Sequence, residues 1–140
     1  MTSQATLGID VGSVRIGVAI CEAPDLPSVP LTTIIHTNRK ADIEAILKLA
    51  LERNATRIVV GNPIRMDGTI GPAAEKVGTF VRDLRAGFAG EVIEQDERFT
   101  TAAAARRLRD LPISGSKRRR RVDELAAVEI LDAFFARGPR

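Results

Sequence analysis

The chain has 140 residues, 44% hydrophobic and 28% charged, a balance that fits one soluble globular domain over residues 1–140. Its apolar runs are too short to span a bilayer, its N-terminus lacks the pattern of a secretory signal, and its single cysteine excludes an intrachain disulfide. The net charge is only +3, and the expected setting is a reducing cytoplasm with no membrane partner.

The chain opens on Leu7-Gly8-Ile9-Asp10-Val11-Gly12-Ser13, whose period-two alternation predicts a buried strand ending in a turn. Ile16, Val18 and Ile20 alternate with Gly17, Ala19 and Cys21, which makes the pair a hairpin and Cys21 a small core residue. Asp10 has no packing reason to be there. An unpaired buried carboxylate is costly, so its presence points to a bound cation. Ala23 to Pro30 is expected as a loop and residues 31–36 as a third strand, with His36 at its end. Asn38 caps a helix over about 40–53, where Ile43, Ile46, Leu47, Ala50 and Leu51 form one stripe. Arg57 to Gly61 is a short apolar strand of the kind buried on both faces, ending in Gly61-Asn62-Pro63. In the loop that follows, Asp67-Gly68 reads as a turn pair, with a ligand role as the alternative. Pro72 begins a second helix, with Val77, Phe80, Val81, Leu84 and Phe88 on one face.

Glu91 to Gln95 is a fifth strand leading into Asp96-Glu97-Arg98. Thr100 or Thr101 caps an alanine-rich helix to about Leu111, Pro112 to Ser116 forms a loop, and a last helix covers about 119–136. Residues 106–121 hold Arg106, Arg107, Arg109, Lys117, Arg118, Arg119, Arg120 and Arg121 against the single acid Asp110. The rest of the chain is net acidic, with thirteen basic and seventeen acidic residues. So concentrated a basic segment is the footprint expected for a polyanion, a solvated basic loop being the plainer alternative.

Three strands followed by alternating helices and strands predict an α/β fold. The expected form is a mixed five-stranded sheet flanked by helices on both faces, with the first, fourth and fifth strands parallel. Ligands of such sheets gather beyond the carboxyl ends of the strands, where Asp10, the Gly61-Asn62-Pro63 corner and Glu97 fall. In the last helix Asp123 shares a face with Ala126, Ala127, Ile130 and Phe134. The alternative for Asp123 is a first-turn acid favoured by the helix dipole. Three carboxylates brought together repel unless a cation neutralises them, and oxygen donors suit Mg²⁺ or Mn²⁺. One cysteine and one histidine make no zinc pattern. Two such cations about 4 Å apart can activate a water and stabilise the leaving oxygen of a phosphodiester. An acidic metal site with a basic flank is what a nuclease needs.

The motifs carry a family resemblance. Gly8-Ile9-Asp10-Val11-Gly12-Ser13 with Gly17-Val18-Ala19, Val60-Gly61-Asn62-Pro63 with Met66-Asp67-Gly68-Thr69, Asp96-Glu97-Arg98-Phe99-Thr100-Thr101, and Val122-Asp123 with Ala126-Ala127 resemble the YqgF/RuvX family. That family has a ribonuclease H-like fold and is described as Holliday junction resolvases and as nucleases maturing the 5′ end of the pre-16S ribosomal RNA. The resemblance implies that Asp10, Glu97 and Asp123 are the catalytic, metal-binding acids; in the leading reading, a metal-dependent nuclease, Asp10 bridges the metals and Glu97 and Asp123 complete the coordination. It also makes the basic run before Asp123 part of the substrate path. Asn62 stands where leucine is usual, and Phe99 replaces the usual leucine after the arginine.

Arg98 can clamp a phosphate or pair with a neighbouring acid, and Thr100 and Thr101 can add a phosphate contact at a helix N-terminus. Arg106 and Lys117 to Arg121 complete the candidate nucleic-acid-binding set. With no Trp or Tyr in the chain, affinity should come from backbone electrostatics and fall steeply with salt. The expected partner is ribosomal RNA precursor, branched DNA, or both. Junction resolution would call for a two-fold homodimer with two sites on two strands. Two other classes compete. A non-catalytic adaptor in ribosome assembly or transcription would keep the basic segment without needing three acids. An actin-like or sugar-kinase phosphotransferase shares the strand–Asp–Gly turn but needs two lobes, which 140 residues hardly hold.

Overall fold

Each alternating apolar run of the sequence becomes a strand, and each apolar stripe a helix. The structure, a computed structural model, describes residues 4–63, 67–96 and 116–136, the stretch 116–121 through its backbone alone. The strands are β1 (Ala5–Val11), β2 (Arg15–Cys21), β3 (Val29–Ile35), β4 (Ala55–Asn62) and β5 (Glu91–Asp96). They form one sheet in the order β3-β2-β1-β4-β5. The β1–β2 and β2–β3 pairs are antiparallel, whereas β1–β4 and β4–β5 are parallel, as the hairpin and the βα connections require.

β3 starts two residues before the expected strand, taking in Val29 and Pro30. Proline is tolerated because β3 lies at the sheet edge, and the register shifts between Val18 and Ala19 where Pro30 pairs. Helix α1 (Arg39–Glu52) begins as the sequence predicts, the Asn38 side chain accepting a hydrogen bond from the Ala41 amide at 2.9 Å. It ends through Asn54, whose φ of 56° is a conformation asparagine tolerates. Helix α2 (Pro72–Gly87) has proline in its first turn, where a missing amide costs nothing. Helix α3 (Ser116–Phe135) starts three residues before the expected boundary, so the basic run lies within it. The alanine-rich helix expected after Thr100 or Thr101 and most of the Pro112–Ser116 loop fall outside the described residues.

Helices cover both sides of the sheet. On one side Leu7, Ile9, Ile16, Val18, Ile20, Ile58 and Val60 pack against Ile43 and Ile46 of α1 and Val77, Phe80, Val81 and Leu84 of α2. Burying each of these side chains stabilises the fold by about 1.5–3 kcal/mol. On the other side the cluster is smaller: Ala19, Cys21 and Val59 against Ala127, Ile130 and Leu131 of α3. Cys21 is buried there as expected, its thiol donating to the Ala23 carbonyl at 3.0 Å. α3 lies unusually close to the strands. A Cβ on Gly8 would come within 2.9 Å of the Ala127 carbonyl oxygen, and one on Gly17 within 2.1 Å of the Asp123 carbonyl oxygen. Glycine at both positions lets the helix backbone rest on the sheet.

Candidate active site

Strand alternation decides which side Asp10 faces. Leu7 and Ile9 belong to the α1/α2 core, so Gly8 and Asp10 face α3. Asp10 pairs with Gly17 across the β1–β2 ladder, and Asp123 of α3 sits directly over Gly17. Its Cβ lies 3.1 Å from where a Gly17 Cβ would be, which puts the Cβ atoms of the two aspartates within about 9 Å of each other. Both residues are fully buried. α3 has no acid in its first turn, and Asp123 is its eighth residue. The helix-dipole explanation of Asp123 is therefore excluded, because that effect fades within the first turn.

Two acids buried on one face repel, and the structure shows a counter-charge. Arg15 of β2 lies two residues from Gly17, hence on the same face, and its Nε donates to Asp123 Oδ2 at 2.6 Å. Sequence reading missed this pair, since nothing local links residues 108 positions apart. The period-two rule that put Gly17 opposite Asp10 could have pointed Arg15 the same way. One strand further out Thr33, the partner of Gly17 on β3, donates to Glu124 Oε2 at 2.8 Å and ties α3 to the sheet edge.

The row continues on the other side of Asp10. Ile9 pairs with Val60, so Gly61 is the neighbour of Asp10 on β4, and Gly61 pairs with Gln95 on β5. Asp10 thus has a glycine on either side: Gly17 is covered by α3 at Asp123, and Gly61 places no side chain beside the carboxylate. Gln95 is 2% exposed, and its Oε1 finds no hydrogen-bond partner among the described residues. Neither Gln95 nor Arg15 carries a sequence signal strong enough to single it out.

The remaining candidates divide cleanly. Glu97, Arg98, Thr100, Thr101 and Arg106 lie outside the described residues, Glu97 being the next residue after the last of β5. Lys117 to Arg121 form the first turns of α3, immediately ahead of Asp123. Among the described residues, then, two of the three expected acids come together, and no three His, Cys, Asp or Glu side chains form a metal cluster. Asp67 Oδ1 accepts from the Thr69 amide and hydroxyl at 3.0 and 2.7 Å beside Gly68 at φ 88°, which is the turn role. His36 lies just past β3 and meets buried Asp42 of α1 at 2.5 Å. Asn62, the departure at the β4 corner, faces the α1/α2 side and donates to Glu94 at 2.5 Å. No described helix is long and apolar enough to cross a membrane.

Buried carboxylate oxygens on a glycine-lined strip fit a hard divalent cation better than a soft one. Cys21 is tied up in the α3-side core and His36 by Asp42, so neither offers sulfur or nitrogen there.

Comparison with known proteins places these features in context. Residues 4–137 match the family model described as "RuvX: Holliday junction resolvase". A protein of Halalkalibacterium halodurans named "Putative pre-16S rRNA nuclease" is 41% identical over 134 residues, covering 94% of this chain and 96% of its own. A protein of the same name from Roseiflexus sp. is 42% identical over 129 residues, covering 92% of each chain. Among solved structures, the fowlpox virus Holliday junction resolvase superposes with a TM-score of 0.54 at 13% identity, covering 95% of this chain and 99% of that one. Thermus thermophilus RuvC in complex with a Holliday junction gives 0.51 at 14% identity, covering 96% of this chain and 95% of that one. At such identities the likeness is one of fold, the ribonuclease H-like fold the motifs implied.

Proposed function

The chain belongs to the RuvX Holliday junction resolvase family, and from that premise we propose a metal-dependent nuclease that matures the 5′ end of pre-16S ribosomal RNA in the cytoplasm. It is an enzyme that hydrolyses phosphodiester bonds in structured nucleic acid. The observation that carries the reading is the burial of Asp10 and Asp123 on one face around Gly17. Two buried acids on one face are costly, and a cation held between them offsets that cost.

In this reading Asp10 and Asp123, joined by Glu97 beyond the end of β5, hold Mg²⁺ or Mn²⁺. Bound there, such a cation supplies Lewis-acid stabilisation of the phosphodiester and lowers the pKa of an attacking water, alone or as one of a pair. The other tasks fall to the chain. Arg15 fixes the orientation of the Asp123 carboxylate through their 2.6 Å contact and offsets its charge. Gly17 lets α3 bring Asp123 down beside Asp10, and Gly61 puts no side chain on the other side of it. Lys117 to Arg121 draw the phosphate backbone toward the start of α3, with Arg98, Thr100, Thr101 and Arg106 adding contacts.

The family description also supports a second substrate, the four-way DNA junction, on which a two-fold homodimer would set two sites against two strands. Purified protein assayed side by side on precursor RNA and on a junction, with Mg²⁺ and Mn²⁺ titrated, tests both. Metal-dependent trimming of the RNA 5′ end is the expected result. Cleavage of the junction alone transfers the assignment to DNA, and binding without cleavage of either makes the chain an adaptor.

A further inference from the structure

A buried amide oxygen without a partner is expensive, and native proteins keep few of them. Among the described residues, Gln95 holds one at 2% exposure. Ile93, two residues earlier on β5, packs with the α3-side cluster, so Gln95 faces the same side as Asp10. It pairs with Gly61, the neighbour of Asp10 on β4, so one row runs Asp10, Gly61, Gln95. With strands about 4.8 Å apart, the ends of that row are about 10 Å apart at their Cα atoms, and Gly61 puts no side chain between them. A glutamine is long enough to reach over such a gap. Its oxygen is also the kind of neutral, hard donor that Mg²⁺ and Mn²⁺ accept beside carboxylates.

We infer that Gln95 supplies a neutral oxygen ligand to the cation held by Asp10 and Asp123. The inference rests on the cation reading above and adds to it a residue for which the family resemblance assigns no role. A neutral donor beside the three acids tunes affinity differently from a fourth carboxylate, because cation affinity follows the charge of the ligand set. It also explains why the chain tolerates a partnerless buried oxygen: the cation would satisfy it.

The test is calorimetric titration of Mn²⁺ into the metal-free full chain, without nucleic acid, for the wild type, Asp10→Asn, Gln95→Leu and Gln95→Glu. Gln95→Leu should weaken Mn²⁺ binding about tenfold and Gln95→Glu should tighten it by a similar factor. The melting temperature of metal-free Gln95→Leu should rise, since the partnerless oxygen is gone. Wild-type affinity in both Gln95 variants, with binding lost in Asp10→Asn, overturns the role of Gln95 and leaves the cation site standing. No Mn²⁺ binding by the wild type overturns both. If Gln95→Leu fails to fold, Gln95→Glu decides by the same criterion, and unchanged or weaker binding in it counts against the inference.

Discussion

The two sides of the sheet are built to different rules. The side covered by α1 and α2 is lined with large aliphatic residues, Leu7, Ile9, Ile16, Val18, Ile20, Ile58 and Val60, and packs as an ordinary core. The side covered by α3 carries Gly8, Asp10, Gly17, Ala19, Gly61 and Gln95 from the same or adjacent strands. Because residues alternate, each strand serves both sides at once: Ile9 stabilises the fold, while Asp10 faces the polar strip. Separating the two jobs by a single residue step lets the polar strip be held rigidly by a core that takes no part in it. The cost of buried acids and close backbone contacts is borne by the larger apolar side.

Breaking each side in turn should give opposite signatures. The largest effect is expected from Asp10→Asn, which should cut metal-dependent cleavage by about a thousandfold or more while leaving the melting temperature within a few degrees. Cleavage rates and thermal melts on the same preparation check it. Leu7→Ala, on the same strand but facing the opposite side, should cost about 3 kcal/mol of stability and leave Mn²⁺ affinity of the folded protein unchanged. Denaturant unfolding with and without Mn²⁺ separates the two quantities. Gly17→Ala should cost about 2–3 kcal/mol too, but by lifting α3 from β2 it should also weaken Mn²⁺ binding. Arg15→Gln should cost about 2 kcal/mol by taking the guanidinium from buried Asp123, and added Mn²⁺ should restore more stability to it than to the wild type.

The smallest effect sharpens where the polar strip ends. Asp132, near the far end of α3, has its carboxyl pKa raised by burial and by the neighbouring Glu129, against a lowering hydrogen bond from Ser28. Its charged form therefore costs stability above that raised pKa, and the cost fades as pH falls through it. Asp132→Asn should melt slightly higher near neutral pH and lose that acid-side gain, with no change in Mn²⁺ affinity. Thermal melts across the acid range read this directly.

Most of the scaffold was legible in the sequence because it follows local rules. Period-two runs marked β1 and β2, the Asn38 cap and the apolar stripe marked α1, and Pro72 marked the start of α2. Asp10 stood out as an acid inside a strand, and the helical stripe put Asp123 on the buried face. What stayed hidden depends on tertiary contact. Gly17 looked like one more small alternating residue until α3 was seen lying on it. The pairing of Arg15 with Asp123 appears only in three dimensions, and Gln95 gave no sign of being buried with an oxygen unmet. The edge position that admits Pro30 likewise follows only from strand order.

The account turns on which side of the sheet takes the cation. Crystals soaked in Mn²⁺ and measured for anomalous scattering answer that without any assay of activity. The account expects a peak under α3 beside Asp10 and Asp123. A peak on the α1/α2 side near Asn62 and Glu94, or none within reach of either aspartate, would contradict it.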